Sequence, residues 1–250
     1  MLPRALKGGA GVIYVVGLGP GGAGEITPRA LAALEKCDVI VGYKAYVELA
    51  RPLFSKEKEF VVSAMKQERD RCEEALRLSL SGRTVGLISS GDPGIYGMAG
   101  IMLEVARGRT EVEIIPGITA ASSSAAILGA PLGCDFAVIS LSDLLTPWKV
   151  IEGRLRAAAL ADFVICIYNP ASHGRPEHLS RAADILMEIL PAERPAGWVR
   201  SAGRKGESCR VTTLGELKNQ KIDMFCTVIV GSSATYVIDG RLVTPRGYRE

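Results

Sequence analysis

The chain has 250 residues, of which 48% are hydrophobic and 23% charged, and a formal net charge of +3. That length accommodates one large domain or two of roughly 100–150 residues, each with its own core. The mild positive balance suits an anionic small molecule and lacks the basic blocks of a nucleic-acid surface, and no apolar run approaches the ~18 residues of a membrane span. The opening stretch, Met1 to Gly9, has no continuous apolar segment, so the expectation is a cytoplasmic protein without nucleic-acid or membrane partners. Six cysteines (37, 72, 134, 166, 209 and 226) form no CxxC pair and show no zinc spacing, and Cys166 lies in an apolar run that suits burial. His173 and His178 flank Pro176 at a spacing unsuited to two ligands on one helix, so no metal is expected.

In chain order, Gly11–Val16 reads as a first strand, followed by Gly17-Leu18-Gly19-Pro20-Gly21-Gly22. Thr27 and Pro28 predict a helix start, cap then first turn, with the helix running to about Lys36. Asp38–Val41 is a second strand ending at Gly42-Tyr43, and the mixed charges of Lys56-Glu57-Lys58-Glu59 read as a solvated face. A charged helix from about Met65 to Ser81 should stop at Gly82. Val85–Ser89 is a buried strand that breaks into Ser90-Gly91-Asp92-Pro93-Gly94-Ile95-Tyr96-Gly97, with a helix from Met98 to Arg107 beyond. The carboxyl end of such a strand is where open α/β sheets bind ligands; glycines there admit close backbone approach, and Asp92 offers a carboxylate or a helix cap. A strand at 111–115 leads into Pro116-Gly117-Ile118-Thr119-Ala120 and a small-residue helix at Ala121–Ala126. The strict β-then-α alternation predicts a parallel sheet.

Gly129–Gly133 reads as the hinge to a second unit, with domains expected at 11–128 and 132–248. Its strands are expected at Phe136–Ser140, Phe163–Tyr168, Pro195–Val199 and Phe225–Val230, with helices near 147–160, 176–190 and Leu214–Lys218. Tyr236–Thr244 reads as a hairpin turning at Asp239-Gly240. Gly17, Gly19 and Gly22 satisfy G-x-G-x-x-G, which raises a nicotinamide-dependent dehydrogenase. The acidic residue that should end the second strand and bind ribose is missing, since Asp38 precedes that strand, and the helix start at Thr27-Pro28 lies beyond the third glycine.

Three motifs together, Val16-Gly17-Leu18-Gly19-Pro20-Gly21, Ser90-Gly91-Asp92-Pro93 and Pro116-Gly117-Ile118-Thr119-Ala120, resemble the tetrapyrrole methylases, which transfer methyl groups from S-adenosylmethionine to porphyrinoid carbons. Ile139–Trp148, Tyr168-Asn169-Pro170, Val199–Arg204 and Val243–Tyr248 are similar to the C17-methyltransferase branch of cobalamin biosynthesis, which acts on precorrin-3B or cobalt-factor III; Gly94–Met98 is closer to its anaerobic form. Sister methylases acting at C11 or C20 are the alternative within the family, and a non-catalytic tetrapyrrole carrier the alternative outside it.

The resemblance implies a homodimer of two αβα domains, the N-terminal one with a parallel sheet and the C-terminal one with a mixed sheet, with a ligand cleft between them, and S-adenosyl-L-homocysteine as product. It implies cofactor binding by Gly91, Asp92, Ile95, Thr119, Ala120, Tyr168, Arg200, Ser201 and Ala202. Gly19, Pro20, Gly21, Tyr43, Tyr96, Ser140 and Arg204 would meet a polycarboxylated tetrapyrrole, with Lys205 nearby; arginine forks suit its carboxylates. Ser142, Asp143 and Thr146 would serve the proton movements of ring contraction, or form, with Ser140, a capping cluster ahead of the Pro147 helix. One position departs from the pattern: Cys134 stands where this branch usually carries histidine.

Overall fold

The computed structural model describes residues 9–64 and 67–248. Its backbone divides into two compact units, one through Thr119 and one from Ala120.

The first unit contains β1 (Val12–Gly17), α1 (Pro28–Glu35), β2 (Val39–Tyr43), α2 (Lys44–Ala50), β3 (Glu59–Ser63), α3 (Glu68–Leu80), β4 (Val85–Ser89), α4 (Ala99–Ala106) and β5 (Glu111–Ile115). The five strands are all parallel, in the order β3-β2-β4-β1-β5, as the alternation predicts. Local signals act as read. The Thr27 hydroxyl accepts the Ala30 N–H at 3.1 Å with Pro28 in the first turn, and Gly82 (φ +91°) closes α3. Met65, read as the start of α3, lies outside the described residues; the helix begins at Glu68.

Alternating strand residues fill two cores. Ile13, Val15, Val39, Val85 and Leu87 pack with α3 and α4, while Val16, Ile40 and Ile88 pack with α1 and α2. Each such side chain contributes roughly 1.5–3 kcal/mol on burial. The consequence for function is topological. Although β1 and β4 are neighbours, the helix after β1 and the helix after β4 lie on opposite faces of the sheet, the strand-order switch at whose carboxyl ends open α/β sheets bind ligands.

The second unit contains α5 (Ala120–Leu128), β6 (Gly129–Ala130), β7 (Phe136–Ser140), α6 (Trp148–Leu160), β8 (Val164–Tyr168), α7 (His178–Met187), β9 (Pro195–Arg200), β10 (Ser208–Thr213), α8 (Leu214–Leu217), β11 (Cys226–Val230), β12 (Tyr236–Ile238) and β13 (Arg241–Val243). Its main sheet runs β10-β9-β11-β8-β7 and is mixed: β7 and β8 are parallel, and the other pairings antiparallel. Helices α6, α7 and α8 cover one face, and α5 covers the other through Ala121, Ala125 and Leu128 against Val164, Cys166 and Ile229. That packing places the division ahead of α5 and not at Gly129–Gly133. Residues 129–130 instead form β6, parallel to β13. The hairpin turns at Asp239-Gly240, both with positive φ.

Candidate active site

In the first unit three loops leave the carboxyl ends of β1, β4 and β5 and touch through backbone atoms. Gly19 and Gly91 exchange a pair of backbone hydrogen bonds, Gly91 N–H to Gly19 O at 2.8 Å and Gly19 N–H to Gly91 O at 3.2 Å. A Cβ on Gly17 would lie 2.5 Å from Gly91 O, and one on Gly117 would lie 2.3 Å from the same oxygen. Only hydrogen fits at this crossing. The Asp92 carboxylate locks it: Oδ1 accepts the Gly94 N–H at 2.8 Å and Oδ2 the Gly117 N–H at 3.1 Å.

Asp92 therefore does not cap the next helix; α4 begins after Met98, with no side-chain cap. The glycine loops expected to meet the tetrapyrrole (Gly19) and the cofactor (Gly91) are thus one structural unit. Ile95 and Tyr96 stand out from the loop, Tyr96 57% exposed and held at φ +53°. Tyr96 is therefore not a core aromatic, and its left-handed backbone is uncommon for a bulky residue. Tyr43 ends β2 and packs edge-on against Tyr46, with ring centres 5.3 Å apart. Pro20 and Gly21 lie in the β1 loop, and a short turn at Ala23–Glu25 separates it from α1. The helix start at Pro28 and the use of the Asp38 carboxylate to accept the Thr84 N–H (2.7 Å) remove both elements a dinucleotide site requires.

In the second unit polar side chains gather where β7 and β8 end. Ser140 Oγ accepts from Asn169 Nδ2 at 2.9 Å and from the Ser142 N–H at 3.2 Å, with Asn169 in the left-handed region. Asp143 lies 3.1 Å from His178 Nε2 and 3.6 Å from Arg175 Nη1. Burial works against its charge, but hydrogen bonding and charge from His178, its own backbone amide and Arg175 together hold the carboxyl below its ordinary value. The His178 ring packs edge-on against Trp148, with centres 4.7 Å apart. Ser142, Asp143 and Thr146 thus do not act as helix caps: Pro147 occupies the cap position of α6, and no side chain caps it. Leu144 and Leu145 between them are exposed, Leu145 at 95%.

The Tyr168 hydroxyl accepts the Ala121 N–H at 2.7 Å, which ties the end of β8 to the start of α5 beside Ala120; Thr119 immediately precedes that helix. After β9, Ser201 (φ +53°) and Gly203 (φ +69°) turn the chain through Ala202 to Arg204. Arg200, expected to hold ligand, is paired with Asp223 at 2.9 Å. Cys134 is exposed, and its thiol donates to Pro245 O at 3.2 Å.

Sequence reasoning missed three participants: His178, weighed only as a metal ligand, Arg175, and Asp223. None carries a local pattern that announces its partner. Among the described residues no cluster of His, Cys, Asp or Glu is suited to a metal, and no helix is long and apolar enough to cross a membrane.

The cysteines make a direct check on burial. Desolvation pushes the Cys37, Cys72 and Cys166 thiols up to about 12 and Cys226 to about 11, and all four are buried; Cys134 and Cys209 are exposed. A chromogenic disulfide reagent is expected to modify two thiols promptly in the folded protein and all six after denaturation. Prompt modification of more than two would contradict these cores.

The family model described as Tetrapyrrole (Corrin/Porphyrin) Methylases matches residues 12–218. A Salmonella typhimurium protein named "Probable cobalt-factor III C(17)-methyltransferase" is 50% identical over 240 residues, covering 95% of this chain and 99% of that one. A Priestia megaterium protein named "Cobalt-factor III methyltransferase" is 44% identical over 246 residues; the match covers 96% of this chain but 45% of that longer relative. A crystal structure of the methyltransferase CobJ superposes with a TM-score of 0.89 at 38% identity, covering 94% of this chain and all of that one.

Proposed function

Because the chain belongs to the tetrapyrrole (corrin/porphyrin) methylases, we propose that it transfers the methyl group of S-adenosylmethionine to C17 of cobalt-factor III, or of its metal-free counterpart precorrin-3B, with ring contraction, in cobalamin biosynthesis. One observation carries this reading: the 50% identity that spans 99% of a relative named for that reaction. The anaerobic, cobalt-bearing substrate is preferred because both relatives described above are named for cobalt-factor III.

The first unit fits the cofactor on chemical grounds. Asp92 clamps the glycine crossing through Gly94 and Gly117 and supplies beside it a negative charge suited to a sulfonium. Cofactor binding is assigned to Gly91, Asp92, Ile95 and Thr119 from this unit, and to Ala120, Tyr168, Arg200, Ser201 and Ala202 from the second. The cofactor brings its methyl already activated, so the protein has chiefly to orient, align and exclude water. No nucleophilic triad is required.

Gly19, Pro20, Gly21, Tyr43, Tyr96, Ser140 and Arg204 are assigned to the polycarboxylated tetrapyrrole, and Ser142, Asp143 and Thr146 to its proton transfers. The exposed Tyr96 ring suits a flat macrocycle. Action as a homodimer in the cytoplasm is part of the same proposal and rests on the family resemblance.

Anaerobic incubation with cobalt-factor III and S-adenosylmethionine carrying a labelled methyl tests the reaction class. The expected product carries one labelled methyl and has the spectrum of a contracted ring. Absence of transfer to both cobalt-factor III and precorrin-3B, with the cofactor bound, would overturn the reading.

A further inference from the structure

We propose that His178 is a positioning residue of this enzyme: with Arg175 it fixes the Asp143 carboxylate at the end of β7 as an anion, so that Asp143 takes a proton from the macrocycle rather than giving one. This rests on the reading above, which supplies the reaction, and goes beyond it by assigning the direction of proton movement and the residues that set it.

The geometry has three parts. First, the His178 side chain is nine-tenths buried at the start of α7, and its Nε2 is sealed from water. A buried imidazole nitrogen without a partner is costly, and the acidic group within reach is Asp143, whose Oδ2 is 3.1 Å away. Second, the ring is fixed in place. Trp148 from α6 packs edge-on against it, and Arg181, one turn along α7, lies 4.1 Å above the Trp148 ring. Third, Arg175 approaches the other carboxylate oxygen, Nη1 to Oδ1 at 3.6 Å, while its Nε is tied to Ser172 Oγ at 3.1 Å. Asp143 thus faces two nitrogen groups from the segment that follows β8. Its own side chain remains one-third exposed. One face of the carboxylate is held, and the other is open.

This arrangement suits a base. Methyl transfer from a sulfonium leaves the electron pair on sulfur and moves one positive charge onto the macrocycle as the new carbon–carbon bond forms. Loss of one macrocycle proton to the Asp143 carboxylate restores neutrality, and the open face returns that proton to solvent. A neutral Asp143 would have to shed the contacts with His178 and Arg175 that favour its charged form, so a donor role runs against its surroundings. The oriented acid–base partnership follows the same logic as a histidine held by a carboxylate, with the roles of holder and held exchanged.

The test uses the full-length enzyme with cobalt-factor III and labelled S-adenosylmethionine. His178→Leu keeps the bulk against Trp148 and removes the nitrogen; His178→Gln restores an N–H at similar reach. His178→Leu is expected to lower kcat about 10–100-fold, the range for removing an oriented outer partner, with KM for S-adenosylmethionine within about twofold. His178→Gln should recover most of that loss.

In an Asp143→Asn background, His178→Leu should cost less than about threefold, because the two residues act as a unit. Equal losses from His178→Leu in both backgrounds, or a rise in KM with kcat unchanged, would overturn the proposal. If His178→Leu does not fold, the Gln variant and carbon NMR of the Asp143 carboxyl decide. That carbon should titrate below the ordinary aspartate value in the wild type and move upward in His178→Gln; a wild-type titration at or above the ordinary value would count against the held anion. Failure of the wild type to methylate either substrate would retire the functional reading, and is distinguishable from an active wild type whose variants show no coupling.

Discussion

Replacing Gly117 with alanine is expected to destabilise the first unit by about 2–4 kcal/mol, the range for forcing a side chain against atoms that cannot yield, and to weaken S-adenosylmethionine binding at least tenfold. The added Cβ would sit 2.3 Å from Gly91 O and 2.8 Å from both the carbonyl carbon and oxygen of Gly17. All three atoms are backbone: those of Gly17 end β1 in its parallel ladder with β4, and Gly91 O is held two residues beyond β4 by its bridge to Gly19, so relief requires moving a strand end or breaking that bridge. The displaced oxygen is also the acceptor for the Gly19 N–H, which spreads the damage across the loops. Gly100→Ala is the control. It lies in α4 with nothing within 4 Å of the added carbon, and alanine there should stabilise by about 0.5–1 kcal/mol. Urea unfolding of the two variants beside the wild type, with calorimetric titration of the cofactor, reads both effects. Equal behaviour of the two variants would mean that the three loops do not depend on the glycine crossing.

Asp92→Asn is expected to weaken S-adenosylmethionine binding about 10–100-fold and to cost about 0.5–1.5 kcal/mol of stability, the net scale of one lost hydrogen bond. Both carboxylate oxygens accept backbone N–H groups, from Gly94 and from Gly117. An amide side chain has one acceptor and one donor head. It can satisfy either N–H, and presents its own N–H to the other. Asp92→Ala releases both and should be the more severe. The charge lost with either substitution also removes the anion proposed to face the sulfonium, so affinity should fall more than stability. Calorimetric titration at two salt concentrations separates the parts: the wild type should weaken with salt more than Asp92→Asn does. An Asn variant that binds like the wild type would remove Asp92 from the cofactor site.

Much of the fold was legible because its determinants are local. Thr27-Pro28, Gly82 and Asp239-Gly240 mark their turns by backbone chemistry alone, and continuous apolar runs such as Val85–Ser89 announce strands buried on both faces. What escaped is instructive. Strand β3 follows the charged run read as a solvated face, pairs only with β2, and so needs no strong apolar pattern. Strand β10 is the corresponding edge of the second sheet, polar along most of its length. The edge position explains both omissions, since pairing on one side asks less of the sequence. Helix α2, directly after Tyr43, carries neither a capping side chain nor a glycine stop.

The division between units was read at a glycine cluster, but is set by the face that α5 covers, a tertiary choice that short-range signals do not encode.

The site divides in the same way. The three glycine loops were recognisable because close backbone approach demands glycine at fixed places, and Gly17, Gly91 and Gly117 meet that demand against one another. That they form one crossing, clamped by Asp92, was not readable, since the partners come from three separate strand ends. Asp143 was picked out as a residue, but its holders were not. His178 and Arg175 reach it from beyond β8, with α6 and a whole strand between them in sequence. Arg200, read as a cofactor residue, has an internal partner that sequence did not announce, Asp223, twenty-three residues on.

The most direct test of the central claim is the position of the transferred carbon. Cobalt-factor III incubated anaerobically with the enzyme and S-adenosylmethionine bearing a 13C methyl should yield a product whose single enriched resonance correlates with ring D at C17. Enrichment at C11 or C20 would assign the chain to a sister methylase and contradict the account, while leaving the glycine crossing and the Asp92 clamp as features of the shared fold.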